Sequence, residues 1–144
     1  GCSCVGRSGS QIVPVHPIVR YMILCEDWES APNHPRRVDI HGLLSNIHSF
    51  DQPPYPLLYS EMCVFLVLTE GRGTGAARIS CVFEETSQKV FETPQRQVTF
   101  GADPLEVIGV PFRIRACPFP YPGMYVIQFW YNGAKLDERP LRLR

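Results

Sequence analysis

Lysine is nearly missing from this chain of 144 residues: Lys89 and Lys135 are the only two among fourteen basic side chains. The remaining twelve are arginine, a bias that reads as genome composition before it reads as phosphate recognition. A net charge is missing too. Fourteen acids balance the fourteen bases and the pI is near 7.1, so no global field gathers nucleic acid or acidic lipid. No apolar run approaches the roughly 20 residues of a membrane-crossing helix, and the expectation is no membrane insertion. Ile12 to Val19, the most apolar early stretch, is interrupted by Pro14 and Pro17 and is too short for a signal-peptide core. Helical periodicity is absent throughout. The chain begins at Gly1 rather than at methionine, which marks a fragment or a processed form and leaves room for a removed leader.

Proline and glycine are plentiful, at fourteen and eleven, and they are spread along the chain. That distribution predicts many turns between short elements. Six cysteines are an even number, yet Cys25, Cys63 and Cys81 sit inside apolar strand-like runs, where free cysteine acts as a small hydrophobe. Free thiols in a reducing, cytoplasmic setting are the expectation. A Cys63–Cys81 bridge across one hairpin is the alternative.

Residues 1–18 read as a flexible tail, Gly/Ser-rich and then interrupted by proline, and 19–144 read as one domain. Within it, short apolar runs recur between turn residues. Tyr21 to Cys25 comes first and Val38 to Ile47 second. Met62 to Thr69 is apolar on both parities, the mark of a central strand, and Gly71-Arg72-Gly73-Thr74-Gly75 reads as a flexible hairpin loop turning it back. The return strand places Ala77, Ile79, Cys81 and Phe83 on one face. Strands near Val90-Phe91 and Val98–Phe100 follow. From Leu105 to Arg115 the inward parity switches, which predicts a β-bulge at Gly109. This pattern predicts an all-β fold, an antiparallel sandwich of about seven to nine strands.

The closing segment carries Asn132-Gly133 between apolar strands, a strong two-residue hairpin signal. Tyr125, Ile127, Phe129 and Tyr131 then face the core. A bulge near Asp137 to Arg139 would bring Leu136, Leu141 and Leu143 inside, with Pro140 at an edge. The opposite face would hold Trp130 beside Lys135, Gln128 beside Asp137, and Arg142 and Arg144 near Met124. These six polar and aromatic residues form the candidate interaction patch, because tryptophan and arginine are enriched at interface hot spots.

Two resemblances rest on these residues. Pro122-Gly123-Met124-Tyr125 before a hairpin resembles the G-x-Y opening of the penultimate strand in immunoglobulin-like sandwiches, where the tyrosine makes a hydrogen-bonded corner. The stretches YMILCED (21–27), GLLSNI (42–47), MCVFLVLTEGRG (62–73) and DPLEVIGVPFRIRACPFPYPGMY (103–125) are similar to an uncharacterised bacterial β-sandwich domain family of unknown function. The first likeness implies an immunoglobulin-like sandwich; the second implies a β-sandwich fold and a bacterial origin, and no reaction.

Catalytic and metal readings find little to stand on. Cys2-Ser3-Cys4 with His16 could offer soft ligands, but one C-x-C lacks the paired spacing of structural zinc sites. His41 and His48, seven residues apart, fall on opposite faces of a regular strand. Cys117, near Arg113 and Arg115, is the best-placed nucleophile, although no companion histidine can be named. Glu84, Glu85, Glu92 and Asp103 read as solvated turn acids, and GRGTG lacks the Lys-Ser/Thr of a phosphate loop. The expectation is a non-catalytic module without cofactor or metal that meets a protein partner or a second copy of itself. The alternatives are sugar stacking on Trp130 and a cysteine- or metal-dependent enzyme using Cys117 or the tail thiols. Because residues 1–14 carry no periodic apolar face, their deletion is expected to move the melting temperature by no more than about 3 °C in calorimetry. A larger drop would show that this segment contributes to the core.

Overall fold

A computed structural model of the chain describes residues 15–31, 33–48 and 54–144, the side chains of 34–36 excepted. They form β1 (Ile18–Ala31), β2 (His34–Leu43), β3 (Asn46–Ile47), β4 (Leu57–Thr69), β5 (Thr74–Phe83), β6 (Gln88–Glu92), β7 (Arg96–Thr99), β8 (Val107–Phe119), β9 (Gly123–Tyr131) and β10 (Ala134–Leu143). No helix occurs among the described residues. One sheet runs β2-β1-β4-β8 and the other β3-β10-β9-β5-β6, with β7 also on β5. Among the described residues every strand pairing is antiparallel except the two-residue β10–β3 contact. This is the β-sandwich that the alternating runs predict.

Its core lies between the sheets. Met62, Val64, Leu66 and Leu68 of β4 face Ala77, Ile79, Cys81 and Phe83 of β5 and the inward row of β9, all 5 % exposed or less. The closing hairpin turns on Asn132 and Gly133, whose φ values of 49° and 80° are those of a primed turn. The bulge in β10 falls between Lys135 and Asp137, slightly before the predicted position, and Leu141 and Leu143 are buried as expected. Tyr125 makes the corner that the G-x-Y resemblance implies. Its phenol donates to the Tyr121 carbonyl at 2.8 Å and accepts from the Tyr121 N–H at 3.1 Å.

Several expectations are corrected. Among the described residues the count is ten strands, because Val38 to Ile47 is not one strand but parts of β2 and β3, which belong to different sheets. Gly42, at φ 65°, lies where the chain begins to leave the first sheet. GRGTG does not close a hairpin, since β4 and β5 also lie in different sheets. Two of its glycines are packing residues: a Cβ on Gly71 would lie 2.4 Å from the Phe100 ring, and one on Gly75 2.1 Å from that of Tyr131. Cys63 and Cys81 are therefore not hairpin neighbours. Cys63 stands opposite Cys25, and these two, Cys81 and Cys117 are free and fully buried.

There is also no bulge at Gly109. The β4–β8 register is unbroken from Leu57↔Phe119 to Thr69↔Val107. Leu105 and Val107 are exposed, and the inward parity changes instead near Ala116, at φ 54°. Gly109 answers a different need: a Cβ there would stand 2.9 Å from the Phe65 ring. Residues 15–18 also contact the sandwich, with Val15 bridged to Arg72 and Pro17 buried.

Tyr125→Phe should lower stability by about 1–3 kcal/mol in urea unfolding, since it removes the two hydrogen bonds that the buried Tyr125 side chain makes to the Tyr121 backbone. An unchanged midpoint would show that water replaces the phenol.

Candidate functional site

The predicted patch on the second sheet is only partly assembled. Trp130 does stand opposite Lys135, and Arg142 opposite Met124. Gln128, however, faces Glu138; the bulge shifts Asp137 opposite Phe129, so Asp137 leaves the outer face and pairs with Arg139 at 2.7 Å. Lys135 Nζ reaches Glu138 at 2.6 Å, and it is the Arg78 guanidinium that lies over the indole, 5.0 Å from the ring centroid. The indole N–H donates to Ser80 Oγ at 2.8 Å and Gln128 Oε1 at 3.2 Å. Arg142 is six residues along β9 from this ring, roughly 20 Å at the ordinary rise of a strand. Arg144 is further still. Trp130 is thus stacked and hydrogen-bonded by its own sheet, and the arginines lie elsewhere.

The other sequence candidates are scattered. Cys117 is 0 % exposed beside Cys81, whose thiol is pushed up by hydrogen bonding to Cys117 and by burial. A nucleophile needs an accessible thiolate, which this position does not offer. His41 bonds Glu29 at 3.0 Å, and His48 follows β3 in the other sheet's register. His16 packs edge-on to Tyr131. Cys2 and Cys4 lie outside the described residues. Among the described residues no group of three His, Cys, Asp or Glu side chains could hold a metal ion.

A different surface emerges on the first sheet, from a residue that sequence reasoning passed over. The odd-numbered side chains of β4, Cys63, Phe65 and Val67, point away from the core between the sheets. β1 pairs β4 only as far as Cys25↔Cys63; beyond that it pairs β2 alone. The departing β1–β2 hairpin folds back over this outer face. Trp28 consequently meets Phe65, which lies opposite Ile23, at a ring separation of 5.5 Å.

Arg113 of β8 fastens the fold-back. Its Nη1 contacts Asp27 at 2.6 Å and Glu61 at 3.2 Å, its Nη2 donates to the Trp28 carbonyl at 3.3 Å, and its guanidinium covers the Trp28 ring at 5.6 Å. The backbone N–H of Trp28 and then the Arg113 guanidinium hold the Asp27 carboxyl below the usual carboxylate range.

Between the hairpin and the start of β8 the cover stops, leaving a groove of about 780 Å³. Phe65, Val67 and the bare backbone of Gly109 form its floor, Trp28 and Val38 one wall, and Leu105 with Val107 the other. Leu105 is 75 % and Val107 48 % exposed. The Trp28 indole N–H is buried with no acceptor among the described residues. Asp103 and Glu106 are the groove's charged lining residues. They order the loop before β8: Asp103 accepts from Leu105 N–H at 2.9 Å, Glu106 from Gly101 N–H at 3.1 Å, and Thr69 Oγ1 donates to the Glu106 carbonyl at 3.0 Å. Its volume falls within the range of ligand-sized clefts.

A family model described as a family of unknown function (DUF6941) matches residues 20–144, and the chain belongs to that family. No curated protein matches it. Among solved structures the chain is similar to the alkylpurine DNA glycosylase AlkC of Pseudomonas fluorescens, bound to DNA containing an abasic site analog, at 14 % identity and a TM-score of 0.45. The match covers 92 % of this chain and 30 % of that one, and at that level it carries no functional inference.

The Asp27–Arg113 contact sets a pH dependence. A carboxyl whose folded pKa is depressed stabilises the folded arrangement above its ordinary value near 3.9, and that contribution is lost as pH falls through the folded value. In a Trp130→Phe variant, where Trp28 is the sole tryptophan, emission should therefore move to the red below about pH 4. Arg113→Met should produce the same shift at neutral pH. Emission that ignores both changes would show that Arg113 does not hold the hairpin.

Proposed function

We propose that this DUF6941 chain is a non-catalytic β-sandwich module that works by docking a protein partner, and that its working surface is the outer face of the β2-β1-β4-β8 sheet. The observation that carries this reading is an apolar cleft at Trp28, Phe65 and Val67, rimmed by the exposed Leu105 and Val107. Contiguous apolar surface in a cleft with a polar rim suits a partner that removes it from water. Support also comes from the disposition of the reactive groups. The described cysteines are buried, and the acids at the groove are engaged in turns or with Arg113. The sugar-stacking alternative loses its footing at Trp130, because Arg78 covers that ring.

Photo-crosslinking in cells that carry the native gene tests the reading. A benzophenone side chain at position 105 should trap a discrete partner protein, and one at position 142 should trap it weakly or not at all. A discrete adduct from neither position would overturn the docking role.

A further inference from the structure

The groove's charge and shape identify the chemistry of what it takes. Its charged lining residues are Asp103 and Glu106, and neither is ion-paired among the described residues. The nearby cations are already engaged. Arg113 stands between Asp27 and Glu61, two acids against one base. Arg96 donates to the Pro111 carbonyl and lies over the Phe112 ring at 5.7 Å. The lining of the groove therefore carries two acids and no lysine or arginine beside its apolar floor.

The groove's open form bears on the shape of its occupant, because an extended segment fits a trough better than a globular face does.

We infer that the cleft between the β1–β2 hairpin and the start of β8 binds an extended segment of a partner protein that carries apolar side chains next to lysine or arginine. The apolar side chains rest on Phe65 and Val67, and Leu105 and Val107 close over them from the side. The basic groups meet Asp103 and Glu106 at the mouth, where opposite charge selects the partner more than it tightens the complex. This inference rests on the docking role proposed above and adds to it the partner's chemistry.

The test uses the full chain carrying Trp130→Phe, so that emission reports on Trp28. The probe is a nine-residue peptide alternating leucine and lysine, compared with the same peptide carrying glutamate for lysine. The lysine peptide should bind at least about tenfold more tightly, a difference of about 1.4 kcal/mol. Asp103→Asn combined with Glu106→Gln should shrink that preference to about threefold or less, as should salt at about 0.5 M. Leu105→Ser, at an exposed position where folding is not at risk, should weaken the lysine peptide about fivefold.

Equal binding of the two peptides, or binding of neither, overturns the inference. A dimer in sedimentation that Leu105→Ser dissociates also overturns it, because the occupant is then a second copy of the chain. The broader docking role fails separately: it survives a negative peptide result if crosslinks at position 105 still trap a partner, and it falls when no position traps one.

Discussion

β4 is an apolar strand on both faces in a sandwich that supplies a second layer to only one of them, and much of the rest of the structure follows from that imbalance. Its even positions are covered by the opposing sheet. Its odd positions, Cys63, Phe65 and Val67, need a cover that no third layer provides. Removing such side chains from water is worth about 25 cal/mol per Å², so a strand of this composition pulls whatever polypeptide is available across its outer face. The available polypeptide is the end of β1, which leaves the sheet after Cys25 and returns with Trp28 against Phe65.

Arg113 decides where that return stops. A guanidinium presents donors in a rigid fork and can also stack on an aromatic face. Arg113 uses both properties, reaching two carboxylates and a carbonyl while covering the Trp28 ring. Each exposed contact is weak by itself. Together they fix the position of the hairpin, and cover over Cys25, Cys63 and Phe65 leaves Val67 half-buried. The uncovered remainder lies against Gly109, whose lack of a side chain makes room for the Phe65 ring.

Much of the fold was legible in the sequence because it rests on local alternation. β5 and β9 bury every second residue, and Asn132-Gly133 takes the turn its composition demands. The features that were misread depend on which sheet a strand joins. Alternation is the same whether β4 hands the chain to a hairpin partner or to the opposite layer, so GRGTG read as a hairpin loop. Gly109 read as a bulge because its packing partner, Phe65, is forty-four positions away in the sequence and becomes a neighbour only through the β4–β8 register. β1 extends to Ala31 through Glu26, Asp27 and Glu29, acids that signal a loop until their partners are known.

The two tryptophans show why the candidate site was the least legible part. Trp130 looked available because basic residues follow it closely in sequence, but a strand carries Arg142 to its far end while the neighbouring strand brings Arg78 over the ring. Its N–H finds Ser80 and Gln128 on the same sheet face. Trp28 sits in an acidic stretch with no pattern to recommend it. It becomes a groove wall only after the hairpin folds back, and its N–H then has no acceptor in the described chain. A tryptophan covered by an arginine and hydrogen-bonded within its own sheet contributes to the fold. One held by a single arginine against a trough is better placed to meet something else.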